Sequence, residues 1–319
     1  MKPPLEKLHA EHSIYEVVRG HPGFEDFNIE TIIKTGPKRT TAIAQLSGAK
    51  VVIKHYLHSE ARNQVLRAQK ELDALSKRMC AAPYRINECV AAFPELGIIA
   101  LSFVPGLRLD DAIRRADLKQ RSALIELSGG WLRAYTEFRT EVSPSFSPGW
   151  WIRKRSETDI STLSATDQEL FNLVLKSLRE RAPSLRGSSV IKAAVHGDYV
   201  SINAHYHEGT LYGVDVQGEA WRPIVDDVAK FLVWTQTQTP LEPSVATVEM
   251  VYRAGVAEPD FTAFLASGVL PEGEIPSLLP FFIGLQMLER IVTYQRDPLA
   301  LSRLHQMATR FLAEGRHGM

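Results

Sequence analysis

"AAVHGDYVSINAHYHEGTLYGVDVQG", residues 193–218, sets three His, two Asp and one Asn in a largely apolar span. Three readings compete for it: a metal cluster, a phosphoryl-transfer loop, or two strands with polar turns. "HGDYVSIN" has the form H-x-D-x-x-x-x-N, running from His196 through Asp198 to Asn203. Asp215 follows at the end of the apolar run "LYGVD". Transfer from ATP needs magnesium to neutralise the phosphates, and magnesium prefers hard oxygen ligands. A side-chain amide and a carboxylate supply them, which suits Asn203 and Asp215. An acceptor hydroxyl needs a carboxylate to orient it and take its proton, which suits Asp198.

Working upstream, the companion parts occur in order. "KVVIKHY" puts Lys54 inside a β-like run, where a Lys can meet the donor phosphates, and "AQKELDAL" puts Glu71 on the next helix to orient it. "IIKTGPKRTTAIAQL", with Gly36, precedes the Lys where a strand and loop should cover a nucleotide. "IIALSFVPG" offers a strand and linker, with Ser102 and Val104, whose backbone can bond an adenine edge.

These segments, with "LSFVPGLRLDDAI" and "PIVDDVAKFL", resemble the aminoglycoside phosphotransferase and choline kinase-like family over roughly residues 28–235. The resemblance implies an α+β, two-lobed protein-kinase-like fold with a small β-rich N-lobe and a larger, mainly helical C-lobe. It implies Asp198 as base, Asn203 and Asp215 as magnesium ligands, Lys54 on the α- and β-phosphates, Glu71 orienting Lys54, and Asp227 as a structural acid near the catalytic loop. The cofactors implied are ATP and Mg2+. The chain departs from the pattern in two places. The phosphate-covering loop has only Gly36 where protein kinases carry several glycines, and the late helix position often held by His falls near Tyr135.

Two features favour a small-molecule hydroxyl over a protein as acceptor. Protein kinases carry Arg beside the catalytic Asp, and here Gly197 stands there. They also carry a long activation loop, and here Asp227 follows Asp215 within a dozen positions (227 − 215). An aromatic cage for a choline-like group could draw on Trp150, Trp151, Trp221 and Trp234, though Trp in a helical lobe is by default core. A non-catalytic, pseudokinase-type scaffold would lack the base or a metal ligand, and all are present. A metal hydrolase or zinc site from His196, Asp198, His205 and His207 lacks partner motifs; the default for His205 and His207 is a solvated strand face. His196 reads as a brace for the loop. Asp226 reads as exposed, and "RKR", residues 153–155, as a solvated face. Asp110 and Asp111 suit a substrate or a helix N-terminus equally.

Composition agrees. Lys plus Arg and Asp plus Glu both number 37, so no net field favours nucleic acid or an anionic membrane. The N-terminal segment lacks a signal-like apolar run and the two Cys read as reduced thiols, which together point to the cytoplasm. "LLPFFIGLQML" reads as a buried helix. A hairpin is expected at Ser47-Gly48, a helix from about Ser59 as N-cap, and a loop-rich stretch at 143–165. The joint at Pro105-Gly106 divides the N-lobe, 1–104, from the C-lobe, 105–319.

Overall fold

Strand-period alternation is complete in β2 (Arg39–Leu46), where every second residue is buried. The computed structural model, which describes residues 5–216, 220–241 and 250–317, sets β2 in an antiparallel sheet ordered β1-β2-β3-β7-β6. Its other strands are β1 (Asn28–Lys34), β3 (Ala49–Tyr56), β6 (Cys89–Phe93) and β7 (Ile98–Ser102). Ser47 and Gly48, with φ of 51° and 76°, make the expected two-residue hairpin turn. Ala42, Ala44, Leu46, Val51 and Ile53 share a core with Ile14 and Val18 of α1 (Leu5–Val18). Alternation then sends Lys54 to the face opposite Ile53.

α2 (Ala61–Ser76) buries Val65, Ala68, Glu71, Leu72 and Leu75 and packs on β5 (Tyr84–Ile86), β6 and β7. Its N-cap is Glu60, not Ser59, and no side chain caps it. A second sheet continues from β4 (Cys80–Ala81) and β5 to β12 (Thr210–Gly213) and β11 (Ala204–His207). β12 runs parallel to β5, with Leu211 opposite Tyr84 and Gly213 opposite Ile86. Residues 1–106 and 205–219 thus form one compact unit. The division falls at the end of the Pro105-Gly106 joint, two residues past the expected lobe boundary at 104, and 205–219, expected in the C-lobe, groups with the first unit because β12 pairs with β5. Cys80 and Cys89 are free thiols.

Residues 107–204 and 220–319 form the second unit, which is mainly helical. It begins with β8 (Leu107–Arg108), α3 (Leu109–Arg115) and α4 (Leu118–Thr136). Asp117 and Gln120 close a reciprocal capping box at the start of α4. α5 (Pro148–Ser156) occupies part of the stretch expected to be loop, with proline in its first turn, where the missing N–H costs nothing. α6 (Ala165–Leu185) follows, then a small antiparallel sheet of β9 (Thr140–Ser143), β10 (Val190–Val195) and β13 (Ala220–Pro223). α7 (Ile224–Gln238) precedes a short hairpin, β14 (Tyr252–Arg253) and β15 (Val256–Ala257), and then α8 (Glu258–Ala266), α9 (Glu274–Thr293) and α10 (Pro298–His317). α7 and α9 pack together, with α6 and α10 against them. The segment Glu274–Arg296 is long and apolar enough to cross a membrane by length and composition, but most of it is buried in this core, as expected for "LLPFFIGLQML".

Two contacts fix α4 on α8. A Cβ on Gly129 would lie 2.4 Å from the Phe264 carbonyl oxygen, so only glycine permits the approach. Arg121 grips Asp260 with two hydrogen bonds of 2.8 and 2.6 Å and also donates to the Thr239 carbonyl.

Candidate functional site

In the second unit, β10 delivers the chain to His196, Gly197 and Asp198. Gly197 has a φ of 78°, a conformation glycine adopts without penalty. Both sides of this turn are tied to α7. Asp227 Oδ2 accepts the Gly197 N–H at 3.0 Å, and Lys230 Nζ donates to the Gly197 carbonyl at 2.6 Å. Asp227 and Lys230 stand one helical turn apart, so one face of α7 holds the loop. Both are buried. From inside, His196 lies among the rings of Trp131, Tyr135 and Tyr199, about 6 Å from each. Tyr199 stacks on Trp131 and Phe231 and donates its hydroxyl to the Ser128 carbonyl.

On this anchored turn the Asp198 side chain is 57% exposed. Asn203 Nδ2 donates to the Asp198 carbonyl at 2.8 Å and to its carboxylate at 3.3 Å. Lys230 Nζ lies 3.8 Å from the other carboxylate oxygen. An accessible carboxylate is therefore oriented by two donors on a rigid loop.

In the first unit, Lys54 Nζ donates to Asp215 Oδ1 at 2.7 Å, and Arg39 Nη1 reaches the same oxygen at 3.0 Å. Asp215 has a φ of 65°, an uncommon conformation for a residue with a side chain. Burial drives the Lys54 ammonium below the usual lysine range, and the Asp215 charge opposes that shift. Glu71 is buried on the inner face of α2, while the ion pair of Lys54 is with Asp215. Gly36 lines a cavity of about 370 Å³ with Lys34, Lys38, Arg39 and Tyr56, a setting suited to anionic groups. At the end of β7, Ser102 exchanges two hydrogen bonds with the Glu88 backbone, its hydroxyl accepting and its N–H donating, and Val104 is buried.

Several residues sit otherwise than the sequence suggests. Asp226 is buried, not exposed, and accepts a hydrogen bond from Gln286 at 2.7 Å. Burial first, and the neighbouring Asp227 charge second, push its carboxyl above the usual range. Within "RKR", Arg155 is partly buried and pairs with Glu289 at 2.5 Å. Trp150 and Trp221 are half exposed and line a cavity of about 380 Å³ with Trp151, Lys154, Lys192 and Arg222, a cationic lining at odds with a cage for a cation. Asp110 is buried at the start of α3 and pairs with Arg108 and Arg114. Among the described residues no three His, Cys, Asp or Glu gather to hold a metal, so the zinc cluster is not assembled. Gln217 and Gly218 of "GVDVQG" lie outside the described residues.

Sequence reasoning missed Arg39 and Lys230. Arg39 pairs in register with Tyr56, which shares a face with Lys54, so only strand register reveals it. Lys230 had a visible signal, its i, i+3 spacing from Asp227.

No family model matches the chain, and no curated protein matches it by sequence. Solved structures do. Glucosamine kinase in complex with glucosamine, ADP and inorganic phosphate aligns with a TM-score of 0.58 at 16% identity, over 90% of this chain and 82% of that one. Amicoumacin kinase hAmiN in complex with AMP-PNP, Ca2+ and Ami aligns at 0.56 and 15%, over 98% and 96%. The apo form of a thermostable mutant of aminoglycoside phosphotransferase APH(4)-Ia aligns at 0.57 and 13%, over 96% and 99%. At these identities the likeness establishes the fold: the chain has the kinase-like fold of these proteins, with a β-rich N-terminal part and a helical C-terminal part.

Proposed function

We propose that this protein is an ATP- and magnesium-dependent phosphotransferase that moves the γ-phosphoryl group to a hydroxyl of a small molecule. The observation that carries the reading is the accessible Asp198 carboxylate, held by Asn203 and Lys230 on a loop anchored by Asp227. In this reading Asp198 orients the acceptor hydroxyl and takes its proton as the oxygen attacks. Lys54 and Arg39 hold phosphate oxygens of the donor, exchanging part of their contact with Asp215 for them. The donor set fits the metal, since Asn203 and Asp215 offer the hard oxygens that magnesium prefers. When bound there, magnesium neutralises charge on the transferring phosphates. Fold relatives crystallised with ADP or AMP-PNP and Ca2+ support nucleotide and divalent-metal use. α7 begins nine positions after Asp215 (224 − 215), which leaves little chain for a peptide-presenting loop and supports a small acceptor.

The test pairs binding with turnover. ATP with magnesium is expected to raise the melting temperature. Across a panel of hydroxylated metabolites, Asp198→Ala is expected to lower transfer by roughly 10²- to 10⁴-fold, the usual worth of a general base, with ATP affinity nearly unchanged. Undiminished transfer would remove Asp198 from this role. Absence of any nucleotide effect would favour a non-catalytic scaffold.

A further inference from the structure

A cavity of about 380 Å³ opens in the second unit, lined in part by Trp151, Lys154, Arg222, Asp226, Lys230 and Glu289. Its volume suits a small metabolite. The charges in it do not cancel. Arg155 and Glu289 neutralise each other in a partly buried pair. Asp226 is buried against Gln286, and with its charge and that of Glu289 both counted, two carboxylates still face the four cations Lys154, Arg155, Arg222 and Lys230. Lys230 is committed to the Gly197 carbonyl and to Asp198. Arg222 and Lys154 remain. Both are exposed, and among the described residues neither forms a salt bridge with a carboxylate; Arg222 acts on the Asp226 carboxylate through space, favouring its charged form, and Lys154 lies 5.3 Å above the Trp150 ring. Both also line the adjoining tryptophan-rich cavity, which adds Lys192 and no carboxylate.

We propose that the acceptor carries an anionic group, a carboxylate or a phosphate, beside its hydroxyl, and that Arg222 and Lys154 hold that group at this cavity. The inference rests on the phosphotransferase reading, because Lys230 lines the cavity and its Nζ also lies 3.8 Å from the Asp198 carboxylate, so one side chain links cavity and base. An arginine fork matches the paired oxygens of carboxylate or phosphate, and charge-assisted bonds of this kind are stronger than neutral ones. A polycationic acceptor would meet Arg222, Lys154 and Lys192, with only Asp226 and Glu289 among the lining carboxylates to offset them. Neutral sugars would accept hydrogen bonds from the two cations but bring no charge to offset theirs.

One set of probes on a common scaffold tests this: gluconate for a carboxylate, glucose 6-phosphate for a phosphate, glucose as neutral and glucosamine as cationic control. Binding to the full chain is read by calorimetry and by tryptophan fluorescence, for wild type, Arg222→Gln and Lys154→Gln, with melting temperature as the folding control. At least one anion is expected to bind better than glucose and glucosamine, and which of the two does so identifies the group. Each substitution is expected to weaken that binding roughly 10- to 100-fold, as for loss of a charged hydrogen bond, with ATP affinity unchanged. No saturable binding of either anion, or binding indifferent to both substitutions, overturns the proposal. Turnover with ATP and magnesium separates the two ideas. Anion binding without transfer sinks the phosphotransferase reading and leaves the anion site standing. Transfer to glucose or glucosamine that Arg222→Gln leaves intact sinks the anion site and leaves the phosphotransferase.

Discussion

Asp226 and Asp227 are neighbours on α7 with opposite tasks. Asp227 accepts the Gly197 N–H and belongs to the loop anchor, while Asp226 faces Gln286 in the cavity. Their proximity and the burial of Asp226 raise its folded-state pKa above the unfolded value. The sign follows. Between those two values the folded state binds more protons than the unfolded state, so stability falls as pH rises through the window above the ordinary Asp value. Asp226→Asn keeps the shape and removes the titration. Its melting temperature is expected to overtake that of wild type progressively as pH rises from about 4 toward neutrality. A difference that stays constant with pH would show that Asp226 is ionised in the folded protein throughout.

Elements here are placed by small residues as much as by large ones. Gly129 in α4 has the Phe264 carbonyl and the Ser267 hydroxyl each 2.4 Å from where a Cβ would sit, whereas Gly149 in α5 has open space. Gly129→Ala should therefore cost about 1–3 kcal/mol through overpacking. Gly149→Ala should be neutral or stabilising by up to about 1 kcal/mol, from reduced backbone freedom in the unfolded chain. Urea unfolding of both variants distinguishes them, and equal effects would mean that α4 and α8 adjust their spacing. The Gly pair within α4 is visible in the sequence, but its reason is not: the partner carbonyl lies far along the chain. α5 escaped a period-based reading because nine residues with basic and aromatic side chains carry little apolar stripe.

At the scale of the whole molecule, the first compact unit is discontinuous. Residues 205–219 return to it after the chain has built part of the second, bringing β12 to pair with β5 and Asp215 to pair with Lys54. A fragment ending at residue 204 would leave an open edge at β5 and the buried Lys54 ammonium without its carboxylate. Such a buried, uncompensated charge is costly, several kcal/mol in typical cases. The fragment is expected to lack cooperative melting and near-ultraviolet ellipticity. A fragment 1–106 that melted cooperatively by itself would show that the returning segment is dispensable.

By itself the sequence determined the β-rich first part and the mainly helical remainder, the Ser47-Gly48 hairpin and the Asp198–Asn203 loop, because each depends on residues a few positions apart. It also supplied the order of Lys54, Glu71, Asp198, Asn203 and Asp215, from which the kinase-like fold could be expected. Tertiary structure decided what depends on distant partners. Lys54 meets Asp215 across 161 positions, Asp226 meets Gln286 across 60, and Lys230 reaches the Gly197 carbonyl across 33. Burial and charge balance are properties of such encounters. The sequence therefore revealed where the carboxylates stand in the chain, and only packing revealed which of them is exposed, which is buried, and which cations line a cavity.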